Sequence, residues 1–229
     1  MTEMSLEEFL KPLSEALGHD AVPDKPVGTY DPSRGLGREE YAKLTPEQLA
    51  DLFVREGEAV GLACTQAAPD AVASAVVAQA RAFGVRSAVY ANDPRADACG
   101  LPEALAQAGI EAVRWDASAG RAAVDACAQA DAGIYFPFAG IARTGTVTIA
   151  CDERCGRAVS LLPPSSIAVI YRSEIVPQMI DVLERVEREG ALPSSLVFST
   201  GPSATSDIEL VRVVGVHGPV ESAVIIVDD

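Results

Sequence analysis

The feature that most constrains this chain is a rhythm between Ala59 and Phe136. Four short apolar runs ("AVGLAC", "SAVYA", "IEAVRW", "AGIYF") are separated by three stretches of helical period, Pro69 to Phe83, Leu101 to Ala108 and Arg121 to Gln129. Strands joined by helices of this length lie parallel, because each crossover carries the chain back to the same edge before the next strand starts. The rhythm therefore implies an α/β fold, a Rossmann-like and mostly parallel sheet with helices on both faces. At 229 residues the chain is long enough to bury such a sheet without disulfides or metal.

The start of that domain is marked at "TPEQ", where Thr45 caps, Pro46 suits the first helical position and Gln48 completes a capping box. The domain is expected to span 44–229. Ahead of it, 1–43 reads as a helix over Leu6 to Leu17 with Leu6, Phe9, Leu10, Leu13 and Leu17 on one stripe, then an extended arm from His19 to Lys43 rich in proline, glycine and charge. A leucine-striped helix and such an arm suit docking on a neighbouring subunit, which points to a homo-oligomer.

The rhythm changes after Gly140. "GTVTIACDERCGRAVSLLPP" reads as an antiparallel hairpin of Gly145 to Ala150 and Arg157 to Leu162, followed by the strand "SIAVIY". A helix from Pro177 to Glu189 would turn Met179, Ile180, Val182, Leu183 and Val186 inward. The strands "SLVFST" and "SAVIIVDD" remain, and the closing aspartates read as a solubilising tail.

Charge and cysteines exclude several function classes. A net charge of -15 leaves no excess of cations to displace counterions from a phosphate backbone, so no nucleic-acid partner is expected. The opening is acidic and periodic where a signal peptide would be basic and then apolar, and no apolar run is long enough for a membrane span, so a cytoplasmic location is expected. Five scattered cysteines suit a reducing compartment as free thiols. The Cys151 and Cys155 pair lies two ligands short of a structural zinc site, so no metal is expected. "FGVRSAVYANDPR" is similar to the end of a nucleotide-fold strand with an acid behind it. It has no glycine fingerprint and no Walker lysine, and no cofactor is assigned.

Three segments carry candidate chemistry. In "STGPSATSDIE", Gly201 lets backbone approach a ligand and Ser203, Thr205 and Ser206 offer hydroxyls, while amides at a following helix start would face an anion. Ser206 and Glu209 also read simply as a capping box, and the two readings stand side by side. His217, one of two histidines and the one inside the domain, lies between Gly215 and Gly218 and can serve as acid, base or donor, or as a loop residue. In "GIARTGTVTI", Thr144, Gly145 and Thr146 could floor a pocket with Ser160 to Pro164 as its wall, or simply be strand formers. Ligands of open α/β sheets collect at the carboxyl ends of strands, which is where the turn after "SLVFS" is expected.

Taken in order, "GIARTGTVTI", "RAVSLLPPSSIAVIYRSEIV" and "STGPSATSDIELVRVVGVHGP" resemble the lactate utilization protein C family and its LUD domain over about Leu49 to Val227. The resemblance implies a fold like the NagB/RpiA/CoA-transferase group. It also implies a part in oxidising L-lactate to pyruvate alongside companion lactate-utilization proteins, one of them an iron-sulfur carrier. The family's threonine-glycine-threonine motif falls on Thr144, Gly145 and Thr146, and its glycine-proline-serine motif on Gly201, Pro202 and Ser203. The run Thr205 to Glu209, with Ser206, Asp207 and Glu209, and the run Gly215 to Pro219 match as well. Arg143 stands where members usually carry glutamate, and an arginine there favours an anionic ligand held in bidentate fashion. Three functions follow: a subunit binding a small organic anion with Ser203 and His217 as catalytic candidates, a non-catalytic assembly module for iron-sulfur partners, or an isomerase or transferase of sugar phosphates or CoA esters by fold analogy.

Overall fold

The computed structural model describes residues 6–16, 18, 38–41, 43–190, 192–206, 212–215 and 217–229. Two compact units divide it, the first ending at Gly37 and the second starting at Arg38. In the first, α1 (Leu6–Ala16) is an amphipathic helix that carries Pro12 in its interior. Leu17 and most of the expected arm lie outside the described residues, and the arm's end, Arg38–Tyr41, is a short helix, α2.

The second unit, which α2 opens, continues with α3 (Pro46–Ala59), capped as its sequence predicts: Thr45 accepts from the Gln48 amide and Gln48 returns the bond. Its apolar face buries Leu49 and Phe53. It runs on through Ala59, so β1 (Ala63–Ala67) starts four residues later than the apolar run "AVGLAC" suggested. Then follow α4 (Val72–Ala82), β2 (Ser87–Tyr90), α5 (Pro94–Ala98), α6 (Leu101–Gln107), β3 (Glu111–Arg114), α7 (Arg121–Gln129) and β4 (Ala132–Tyr135). Next come β5 (Ala139–Ile141), β6 (Thr146–Cys151), α8 (Arg157–Leu161), β7 (Ser165–Tyr171), β8 (Ile175–Val176) and α9 (Met179–Glu189). The chain ends with β9 (Ser195–Thr200), β10 (Ala204–Ser206), β11 (Arg212–Val214) and β12 (Glu221–Val227).

Six strands form an all-parallel sheet in the order β1, β12, β7, β4, β2, β3. One face packs Val89, Tyr135, Ala168, Ile170 and Val224 beneath α3, α7 and α8; the other packs Ile134, Ile167, Val169 and Ile225 beneath α4, α5 and α6. Burial on both faces explains the continuous apolar runs of β7 and β12. From β2 the chain goes to β3 on one side and returns to β4 on the other, so the β2/β4 crevice is the sheet's topological switch point. A second sheet has the order β8, β5, β6, β9, and α9 packs Val182 against its Ala139 and Ile141.

Three readings of the sequence are corrected. The hairpin partner of β6 is β5, which precedes it, and the supposed returning strand is the helix α8. "RAVSLL" is short enough to satisfy either period, and what decides it is tertiary: Gly133 of β4 has no side chain, and the Val159 carbonyl of α8 occupies the space a Cβ would need. On α9, Val182 and Val186 are buried and Ile180 is half-buried, but Met179 and Leu183 are exposed, so the inward stripe is narrower than expected. The closing aspartates are not a free tail: Asp228 pairs with Arg172, and Asp229 accepts from Ser173.

Candidate functional site

Several of the residues singled out from sequence come together from distant parts of the chain. β6 pairs antiparallel with β9 so that Thr146 stands opposite Thr200. Thr146, itself buried, shares its hydroxyl with both neighbours: Thr144 Oγ1 and Thr200 Oγ1 each lie 2.7 Å from Thr146 Oγ1. The three hydroxyls form a short chain whose two outer members reach solvent.

Gly145 is what lets this chain sit against α3. Its φ is 58°, in the left-handed region, and a Cβ there would collide with the backbone of Glu56 and Gly57. The next motif seats on the same helix end: Gly201 has no room for a Cβ beside the Val60 carbonyl, and Pro202 packs near Gly61. Ser203 then ties the turn to the third motif. Its amide donates to the Pro219 carbonyl at 2.9 Å, its carbonyl accepts from the Gly215 amide at 2.7 Å, and its side chain lies against Gly218. His217, next to Gly218, is exposed. Arg143 is exposed, donates its amide to the Pro177 carbonyl, and lays its guanidinium 5.5 Å from the Tyr41 ring centroid.

One expectation about this rim changes and another is left outside the described residues. After Ser203 the chain forms strand β10, with Thr205 paired to Val213 of β11, and the helix start expected beyond Ser206 falls on 207–211, outside the described residues. Asp207 and Glu209 lie outside the described residues. The rim also stands at the amino edge of the parallel sheet, not at its carboxyl edge. β9 belongs to the second sheet, and its turn meets residues that lead into β12 and β1: Pro219, Gly218, Val60 and Gly61. Thr200, the third hydroxyl, was passed over in the sequence because only cross-strand register brings it to Thr146.

At the opposite edge, a cleft of about 350 Å³ opens over the β2/β4 switch point. Asp93 and Arg95 follow β2, Phe136 and Pro137 follow β4, and Asp152, Arg154 and Cys155 come from the turn after β6. Arg95 is held on both sides, 2.9 Å from Asp93 and 2.7 Å from Glu174, with its guanidinium 4.9 Å from the Phe136 ring centroid. Burial works to raise the Asp93 carboxyl, but the hydrogen bonds and charge of Arg95 outweigh it and hold the group below the usual range. For Glu174 burial prevails over Arg95, and its carboxyl is raised. Burial, reinforced by Cys151 and Asp152, pushes the Cys155 thiol up to about 12, which makes it an inert neutral group near neutral pH. Among the described residues no cluster of three or more histidine, cysteine or acidic side chains could hold a metal ion, and no helix is long and apolar enough to cross a membrane.

Comparison with known proteins gives the following. The model of the LUD domain matches residues 49–227. A lactate utilization protein C of Halalkalibacterium halodurans is 33% identical over 97% of this chain and 97% of its own length. A lactate utilization protein C 1 of Bacillus mycoides is 32% identical over 100% of this chain and 99% of its own. Among solved structures, a DUF162 family protein from Deinococcus radiodurans aligns with a TM-score of 0.57 at 25% identity, over 80% of this chain and 99% of that one.

Proposed function

We propose, because the chain belongs to the LUD domain family, that it serves lactate utilization as a component of a system oxidising L-lactate to pyruvate, and that it holds a small organic anion at the amino-edge rim. The names of its relatives support the first part. One observation carries the second: Thr144, Gly145 and Thr146, then Thr200 to Ser203, then His217 and Gly218 gather at one end of α3 from segments more than fifty residues apart at the first step. A linked chain of hydroxyls can serve a carboxylate as a donor, because its two bonds use two of the three protons and an outer hydroxyl, Thr144 or Thr200, can turn the third outward. His217 adds an imidazole that can donate or accept a hydrogen bond, and Arg143 adds a cation at the threonine turn. In this reading electrons pass to an iron-sulfur companion.

A second reading has its own support. Leu161, Leu162 and Val220 are 38%, 46% and 47% exposed, and Val220 donates its amide to Pro164, just beyond the leucines. Apolar side chains so exposed beside the rim favour a companion protein docking there. The test mixes purified companions with this chain and follows L-lactate-dependent reduction of an acceptor dye alongside co-elution. The anion-handling reading expects Ser203→Ala and His217→Ala to lower the rate on the order of tenfold or more while co-elution persists. Unchanged rates with both variants would sink it, and loss of co-elution with Leu162→Asp at intact ligand binding would favour docking.

A further inference from the structure

We infer that the carboxyl-edge cleft is a second ligand site, separate from the rim, and that it takes an organic anion with an apolar body. The position is the first ground: in open parallel sheets the crevice at the switch point is where strand ends part and leave room, and this cleft lies over it. Its volume of about 350 Å³ is enough for a compact molecule.

The chemistry of the ligand follows from which groups are already satisfied. Arg95 is clamped between Asp93 and Glu174, and Glu189 is bound to Arg185 at 3.0 Å. Asp152 Oδ1 accepts the amides of Arg154 and Cys155. Arg154 is different: its side chain is 64% exposed and its ion pair with Asp152 is stretched to 3.8 Å, too long for a hydrogen bond. A guanidinium held that loosely at a cleft mouth is a free fork for a carboxylate or phosphate. The walls around it are apolar: Phe136, Phe138, Val186 and Leu192, the last 84% exposed.

The ligand class is therefore an anionic head at Arg154 with an apolar body against Phe136, Phe138 and Val186.

The experiment is isothermal titration of the full chain with 3-phenylpropionate, phenyl phosphate and the neutral 3-phenylpropionamide, repeated on Arg154→Gln and Ser203→Ala. The inference expects one of the two anions to bind, on the order of tenfold weaker binding in Arg154→Gln and for the amide, and no change in Ser203→Ala. Which anion binds identifies the head group as carboxylate or phosphate. Absence of binding by both anions overturns the inference, as does binding that ignores Arg154 or disappears in Ser203→Ala. Because Arg154 is exposed, Arg154→Gln should keep the wild-type melting temperature, so a loss of binding reads on the site.

Discussion

Replacing Gly145 by alanine tests how the threonine turn is seated on α3, and its cost can be worked from two separate terms. The first is conformational: φ is 58°, and a left-handed L-residue costs about 1–2 kcal/mol. The second is steric, since the new Cβ would run into Glu56 and Gly57 backbone that cannot swing aside, and overpacking of that kind costs about 1–3 kcal/mol. Alanine also stiffens the unfolded chain, which returns about 0.4–1 kcal/mol. Gly109→Ala supplies the control, because Gly109 has φ of 74° and nothing within 4 Å of its would-be Cβ. It carries the first and third terms and not the second. The difference between the variants is then about 1–3 kcal/mol, and at about 2–4 °C per kcal/mol for a chain of this size Gly145→Ala should melt about 2–12 °C below Gly109→Ala. Differential scanning calorimetry of both against wild type decides it. If the two variants melt together, the turn does not press on α3 and the rim's geometry has been misjudged.

Other outcomes follow from the same geometry. Thr148→Val should raise the melting temperature by about 2–4 °C, because it removes a buried hydroxyl with no partner at nearly constant shape; a drop would mean that the hydroxyl is bonded in solution. Thr146→Val should cost only about 1 kcal/mol, since Thr144 and Thr200 can turn to water, yet it should weaken ligand binding at the rim more than it weakens the fold. The buried thiols make stability fall at high pH. Cys64 and Cys127 are raised to about 11 and Cys155 to about 12, so each favours the folded state while the thiol is neutral, fully so below the unfolded value near 9. That contribution is lost as pH rises from 9 through the folded values, and denaturant midpoints between pH 8 and 11 should decline less steeply in Cys155→Ala than in wild type. Equal slopes would show that the thiol is not desolvated.

The parallel sheet was legible because burial on both faces writes continuous apolar runs into β2, β4, β7 and β12, and no tertiary detail is needed to see them. α7 was bounded at Arg121 and Gln129 by its period alone. The second sheet was less legible. Its strands pair at long range, and nothing local tells β6 to choose β5 and β9 over the apolar run that became α8. The same blindness moved the rim to the wrong edge: the turn after β9 was placed by a rule for parallel strands, but β9 is not in the parallel sheet. Candidate residues were chosen by chemistry and motif and not by position, so Thr200 and Arg154 were not named, and Asp93, the acid behind "SAVYA", was set aside for want of a glycine fingerprint. Arg154 is an ordinary surface charge until the strand order brings it to one crevice with Asp93.

The central claim is that the three motifs build one anion-handling rim, and backbone NMR on labelled protein titrated with L-lactate and with pyruvate tests it most directly. The account predicts saturable shifts of the amides of Thr144 to Thr146, Thr200, Gly201, Ser203 and His217, abolished by Ser203→Ala with the fold intact. Shifts confined to Asp93, Arg95 and Arg154, or none with either compound, would contradict it.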